Sequence, residues 1–498
     1  MQPDHVVIID IDGLRPDVFR QALAEGRLPN FSRLFGGDQM PRGMQIPILA
    51  TAPSSTFVSQ ASLFTGAHPA QHMVLGNEYF DRLGLISGGT PRHFGFNVGE
   101  TYSADDAMRA FLDGLASKAL QAPTLYEQLS DRGWRAVVIG HMYARGAEWL
   151  RPSLVSLARL TKGGKLFGIE AEEFDRHLLE KGLDYLEEHG LPPILTQYFL
   201  GIDHLSHAHG PVAQDAYLTG TLDGFVGELL DSIAGVKAEH SNIFFVVCSD
   251  HGEIGVIPDE RHALQVGSGS ERGIGDLFEA LDVDVMDFPG EDPDSQAVFS
   301  GDGGLAQVYL KPQDADWGQA PEFDRLLTMG QAFWQASNSA RYTPMLEGAL
   351  AAVLVRDAQD EGWNSPYRAL MPDGELLALS RFFVAQPDGL YADPVQRLNH
   401  MSCATSGDLL LLSRYEQGFY FSGPTTGVHG GLHPEDSSAT LAYGWPDATQ
   451  DAWQAAKRII RQAIEARCQK EAGRQAGTVD MLTGLLAVLP EGARRPVD

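Results

Sequence analysis

The chain has 498 residues, 43% hydrophobic and 21% charged, which suits a sizeable core in one large domain with an insertion or in two to three ordinary domains. Its 37 Lys and Arg face 66 Asp and Glu, and the resulting net charge of −29 sets aside a nucleic-acid scaffold or a peripheral membrane role. Three scattered cysteines, Cys248, Cys403 and Cys468, set aside a disulfide framework and a cysteine-ligated zinc site.

The opening MQPDHVVIIDIDG enters a strand-like apolar run within a few residues and lacks the basic n-region, h-region and cleavage site of a signal peptide. A reducing, cytoplasmic location is the expectation, and no uncharged stretch approaches the ~18 residues of a membrane span. HVVIIDID (5–12) reads as a buried strand ending in Asp12. SSTFVSQASLFTG (54–66) follows, with hydroxyls at Ser54, Ser55, Thr56, Ser59, Ser62 and Thr65. PTLYEQLSDRG (123–133) is a helix with Thr124 placed to cap it and Gly133 to end it.

RAVVIG (135–140), ILTQYFLGID (194–203) and NIFFVVCSD (242–250) are further buried strands, and 211–235 is a helix with one apolar face. His204, His207 and His209 fall in a polar loop after the second of these strands. From 256 to 405 the pattern loosens, and VGSGSERGIGD and DVDVMDFPGEDPDSQ read as loops or an inserted subdomain. AAVLVRD (351–357) reads as another buried strand, while AQVYL (306–310) and GDLLLLS (407–413) suggest that the core resumes. Residues 449–475 form an amphipathic helix that packs on the core or at a subunit interface, which leaves a homo-oligomer open.

Alternating helices and near-continuous apolar strands imply an α/β fold, a mainly parallel central sheet with helices on both faces. The expected division is a metal-binding core from 1–255, a cap or insertion with some core strands at 256–405, a core return at 406–447 and a helical tail at 448–498.

Ligand sites in such sheets lie beyond the carboxyl ends of the strands. Asp12 in DIDGLRPD, Asp203 and His207 in GIDHLSHAHGP, Asp250 and His251 in VVCSDHGE, and His429 in GVHGGLHPED follow strand-like runs or sit in glycine-rich turns. Each has a plain structural reading alone, but three Asp and three His converging on one sheet edge suit metal. Carboxylate and imidazole without thiolate suit zinc, manganese or iron. Six ligands are natural for two ions, and paired ions clamp the attacking and leaving oxygens of an in-line displacement at phosphorus.

DIDGLRPD, STFVSQASLFTGAHPAQHMVLGN, DHLSHAHGP, SDHGE and VHGG, in this order and spacing, resemble the alkaline phosphatase superfamily. The resemblance is to its type I phosphodiesterase/nucleotide pyrophosphatase branch, which includes phosphonoacetate hydrolases. It implies one ion, zinc first, on Asp12, Asp250 and His251 with the nucleophile oxygen, and a second on Asp203, His207 and His429. His204, His209 and His433 then read as supporting or solvated, and His68 and His72 as structural.

Aligning Thr65-Gly66 with the end of the family's nucleophile motif puts the nucleophile at Thr56, with Ser55 the alternative. Independently, a helix over 57–65 closed by Gly66 would make Thr56 its N-cap, where the dipole favours phosphate and a forming alkoxide. Asn77 matches the family amide that stabilises a non-bridging oxygen. Phe57 keeps the aromatic that stacks on a nucleotide base, and reads equally as a core residue. Val58, Ser59 and Gln60 replace Pro, Asn and His of the pattern, and Glu78 stands where nucleotide-cleaving relatives often carry Lys.

The expected activity is two-metal hydrolysis of a phosphodiester or nucleotide pyrophosphate through a phospho-threonine, on a small anionic substrate. The alternatives are a phosphonate hydrolase or phosphomonoesterase with the same metals, and, from another class, a non-catalytic metal-binding protein. A sulfatase lacks its Cys/Ser-x-Pro-x-Arg setting here.

Overall fold

The computed structural model describes residues 2–37, 39–97, 104–157, 171–238, 241–267, 273–286, 290–292 and 294–490. Residues 268–272 and 287–289 and 293 of the two expected loops, and 491–498 of the tail, lie outside the described residues.

A seven-stranded sheet runs in the order Gly43–Gln45, Leu441–Gly444, Ile243–Cys248, His5–Ile11, Ile194–Phe199, Ala136–Ile139, Glu148–Leu150. The last five are mutually parallel, and Leu441–Gly444 runs against its neighbours on both sides. Ile194–Phe199 and Ile243–Cys248 are buried at every position, which is why neither alternates: IFFVVC is apolar throughout, and ILTQYF departs from this only at Thr196 and Gln197. Helices pack around this sheet, giving the mainly parallel α/β fold expected.

A second sheet is antiparallel throughout, in the order Ala297–Asp302, Leu305–Leu310, Leu409–Ser413, Leu350–Val355, Arg368–Leu370, Leu376–Ala378. The helix Phe323–Ser339 closes a separate core over it with Leu326, Met329 and Phe333. AQVYL, AAVLVRD and GDLLLLS, read from sequence as strands of the one core, all belong here. Their side chains are buried on both faces, and an apolar run carries no record of strand direction.

Thr124 caps the helix Leu125–Ser130 in a reciprocal box with Glu127, as its sequence implies. The histidine cluster is not a loop: Ile194–Phe199 runs straight into the helix Gly201–His209. The helical run over 211–236 carries a π turn at Leu218–Leu222 before its last segment, Asp223–Val236. Gln450–Lys470, capped by Thr449, buries Trp453, Ala456, Ile460 and Ile464 against the core and packs on Asp480–Val488. Among the described residues no helix is long and apolar enough to cross a membrane.

Candidate active site

Three adjacent parallel strands deliver most of the expected ligands at their carboxyl ends. Asp12 follows His5–Ile11, and Asp250 and His251 follow Ile243–Cys248. The helix after Ile194–Phe199 sets Asp203 and His207 one turn apart on one face. His429 follows the short strand Gly427–Val428, which pairs with Ile254–Gly255.

Side-chain atoms of Asp12, Asp203 and His251, and of Asp203, His207 and His429, form two groups, each with all its ligand atoms within 4.8 Å of one another. Asp203 belongs to both, whereas the resemblance places it with His207 and His429 alone. Asp250 adjoins the first group, its Oδ2 3.3 Å from His251 Nε2. Gly13 N–H holds the other Asp250 oxygen at 3.1 Å, and the Tyr198 hydroxyl donates to Asp12 Oδ2.

Two histidines are oriented by their backbone contacts. His251 Nδ1 lies 2.8 Å from Gly252 O and His207 Nδ1 2.8 Å from Gly427 O, so each Nδ1–H donates to a carbonyl. Each Nε2 lone pair is then left facing the cluster. His251 Nε2 meets Asp12 Oδ1 at 3.4 Å, and His207 Nε2 meets Asp203 Oδ2 at 3.5 Å, acceptor against acceptor whenever neutral imidazole faces carboxylate.

Asp12 Oδ1, Asp203 Oδ1 and Asp250 Oδ2 are buried without a hydrogen-bond donor. Among the described residues, no Lys or Arg pairs with any of the six. Burial, then the Asp250 and Asp203 charges, hold the Asp12 carboxyl well above the usual carboxylate range, and burial raises Asp250. Burial, then His251 and His207, push His429 well below an ordinary imidazole. At His207 burial also opposes the charge, but Asp203 and Glu253 outweigh it and raise the pKa. Crowded carboxylates and imidazoles with no Lys or Arg paired to them among the described residues are the donor set of a divalent metal site, and the residues fit one.

The six hydroxyls of residues 54–66 separate cleanly. Ser54 donates to Gly431 O, Ser55 to Asp302 Oδ2 and Thr65 to Ala61 O, while Ser59 pairs with Thr51 and Ser62 with His72. Thr56 Oγ1 alone of the six contacts the ligand cluster, 3.1 Å from His251 Nε2. The helix is Thr56–Thr65 with Ser55 as its N-cap, so Thr56 is the first helical residue rather than the cap. Gly66 ends it at φ 66, as expected, and Arg467 from the C-terminal helix donates to Gly66 O at 2.8 Å.

Asn77 Oδ1 accepts the Phe57 N–H at 2.9 Å, which leaves its NH₂ as the donating end. Phe57 itself is 2% exposed and stacks on Phe96 at 4.6 Å, so its ring packs in the core rather than opening to a ligand. Glu78 turns away to accept from Asn97 Nδ2 and Gly301 N–H. His72 is buried on Ser62, His433 caps a short helix through Glu435 N–H, and His209 is exposed.

Sequence reading missed Tyr198, Glu253 and Asp302. Glu253 is fully buried beside His207, and burial pushes its carboxyl up to about 8. Asp302 closes a strand followed by Gly-Gly, a hairpin signal visible in the sequence. A further trio, His68, His400 and Glu471, lies close enough to hold a metal, but Arg467 and Arg474 already neutralise Glu471. Two guanidinium groups on one carboxylate disfavour a divalent cation there.

The family model described as type I phosphodiesterase / nucleotide pyrophosphatase matches residues 6–265. A solved structure of murine ectonucleotide pyrophosphatase/phosphodiesterase 5, an inactive form in complex with AMP, is similar with TM-score 0.53 at 12% identity. That match covers 99% of this chain and 96% of the other. Phosphonoacetate hydrolase from Sinorhizobium meliloti 1021, in complex with phosphonoacetate, is similar with TM-score 0.53 at 14% identity over 98% and 96% of the two chains. No curated protein sequence matches the chain.

Proposed function

The chain belongs to the type I phosphodiesterase/nucleotide pyrophosphatase family and is a hydrolase, and from that premise we propose that it cleaves small phosphodiesters or nucleotide pyrophosphates through a phospho-threonine at Thr56. The observation that carries this is Thr56 Oγ1 at 3.1 Å from His251 Nε2, on the rim of two acid–histidine groups that share Asp203.

Two divalent ions, zinc first, would be held by Asp12, Asp250 and His251 and by Asp203, His207 and His429. Bound there, they would lower the Thr56 hydroxyl pKa and offset charge on the phosphoryl and leaving oxygens. Thr56 Oγ1 forms the new bond to phosphorus as the bond to the leaving oxygen breaks, and the protons balance through solvent. Water then cleaves the phospho-threonine and restores the hydroxyl. The Asn77 NH₂, oriented by the bond from Phe57 N–H, donates to a non-bridging oxygen as charge builds on it.

AMP and phosphonoacetate, bound by the two structural neighbours, support a small phosphate or phosphonate as substrate. The test combines metal analysis with a panel of nitrophenyl phosphodiesters, monoesters, nucleotide esters and phosphonoacetate. Thr56→Ala is expected to keep its metals and lose about 10³-fold or more in kcat on the best substrate. Full activity of that variant on every substrate would sink the nucleophile assignment. Turnover of phosphonoacetate alone would make the enzyme a phosphonate hydrolase.

A further inference from the structure

Asp302 lies outside the stretch matched by the family model, in the second sheet, yet it bonds to Ser55, the residue before Thr56. Strands Ala297–Asp302 and Leu305–Leu310 pair with Asp302 opposite Leu305, so the turn between them is only Gly303-Gly304. The tip of this hairpin packs against the Phe421 and His429 segments. Gly304 N–H donates to His429 O at 3.3 Å, and Gly303 exchanges backbone bonds with Phe421. A Cβ at Gly303, whose φ is 64, would overlap His429 O, so the tip admits only glycine there.

One oxygen of Asp302 makes both of its side-chain bonds in this site. Oδ2 accepts Ser55 Oγ–H at 2.7 Å and Asn77 N–H at 3.1 Å. Ser55 caps the helix that begins at Thr56, and Asn77 is 20 residues downstream of Phe57, whose N–H it binds. The approach is tight: a Cβ at Gly76 would overlap the same Oδ2, so the glycine before Asn77 makes room for the carboxylate. Asp302 is 5% exposed, and burial pushes its carboxyl up to about 7 against the two bonds it accepts. A buried carboxylate is expensive when, as among the described residues here, no cation pairs with it, which sets Asp302 apart from an ordinary strand-end acid.

We infer that Asp302 is a positioning residue for hydrolysis: its Oδ2 ties the start of the Thr56 helix to the backbone of Asn77 and so fixes nucleophile and oxyanion donor relative to each other. The inference rests on the proposed roles of Thr56 and Asn77. It assigns the second sheet a part in the reaction, because the hairpin tip bonds at once to the nucleophile segment, the Asn77 segment and the His429 loop. Misplacing a reacting group by about 1 Å can cost about 100-fold in rate.

The test uses the full chain with its metals and one active diester from the panel, measuring kcat, KM, metal content and thermal midpoint for Asp302→Ala, Asp302→Asn, Ser55→Ala and Thr56→Ala. Asp302→Ala is expected to lower kcat about 10- to 100-fold with KM within about threefold and metal content unchanged. Asp302→Asn keeps a side-chain oxygen that can accept both bonds, so it should recover kcat to within about fivefold of wild type. Ser55→Ala removes one of the two bonds and should fall between them, with little added loss when combined with Asp302→Ala. Wild-type kcat in Asp302→Ala, or equal losses in Asp302→Ala and Asp302→Asn, would overturn the inference. If Thr56→Ala is inactive while Asp302→Ala is normal, only the positioning role fails. If Thr56→Ala is fully active, the nucleophile reading fails first.

Discussion

Asp408, beside the second sheet, and the acids at the carboxyl edge of the parallel sheet are all buried carboxylates, and they are compensated in opposite ways. Asp408 meets Arg82 Nη2 at 2.9 Å and Leu310 N–H at 2.9 Å, with both charged side chains almost fully buried. The Arg82 guanidinium lies 4.8 Å from the Trp363 ring and 5.2 Å from Tyr309, and Arg356 next to it donates to four backbone carbonyls. Around Asp408 the chain supplies its own cations. The difference lies in the cation, since Asp408 Oδ1 also lacks a donor: at the parallel edge no Lys or Arg pairs with Asp12, Asp203 or Asp250 among the described residues. A fold that gives Asp408 its own guanidinium and leaves three clustered carboxylates without one marks the cluster as a place completed from outside.

Removing metal should expose that contrast most sharply. Chelation is expected to reduce turnover to background and lower the thermal midpoint, with recovery on adding zinc or manganese. Asp203 sits in both ligand groups, so Asp203→Ala should lose more metal per chain than His207→Ala. Equal metal content in the two variants would show that Asp203 serves one ion only.

The second sheet should respond in stability and not in metal. Arg82→Leu leaves Asp408 buried without its partner and is expected to cost about 3–5 kcal/mol of unfolding free energy. Metal per folded chain should stay at the wild-type value. Adding Asp408→Asn removes the orphaned charge, keeps an acceptor for Leu310 N–H, and should restore much of the loss in denaturant melts. Metal loss in folded Arg82→Leu would break the distinction between the two regions.

The contrast also explains what could be read before folding. Asp12, Asp250 and His251 were legible because an acidic residue closing a buried parallel strand has one destination, the sheet's carboxyl edge. Asp203 and His207 were legible as ligands but not as helical: GIDHLSHAHG has too little apolar periodicity to declare a helix, although its Asp-to-His spacing is one turn. Thr56 was legible through the family motif and the helix that follows, while its one retained rival, Ser55, is explained by a bond to Asp302, 247 residues away. Phe57 could be assigned to the core only once Phe96 was seen against it. Asp302 needed a contact across 247 residues from the second sheet to a helix N-cap, and no pattern in AVFSGDGGL names the partner of its carboxylate. The antiparallel order of the second sheet was hidden for a related reason, since LAQVYL, LAAVLV and LLLLS are buried on both faces and would suit either direction.

Asp175 tests the comparison from inside the parallel region, because it is a buried acid there whose donors are all supplied by the chain. Its carboxylate accepts Leu200 N–H at 2.9 Å, Gly201 N–H at 3.1 Å and the Tyr217 hydroxyl at 2.9 Å, at the start of the helix that carries Asp203 and His207. Backbone donors at a helix N-terminus favour the charged form, yet burial dominates and pushes this carboxyl up to about 7. With the folded pKa above the unfolded one, the native chain holds a proton that the unfolded chain has already lost between about pH 4 and pH 7. Stability from this group is therefore fully present below about pH 4, declines as pH rises to about 7, and then levels. Asp175→Asn cannot titrate, so its stability relative to wild type should rise by a few kcal/mol between pH 4.5 and 8, read as the difference between parallel denaturant melts. Taking the difference cancels the pH dependence of the metal ligands, which both proteins share. A difference that is flat with pH would mean that the helix N–H groups hold Asp175 ionised throughout, and that chain-supplied donors can carry a buried charge at this sheet without a cation.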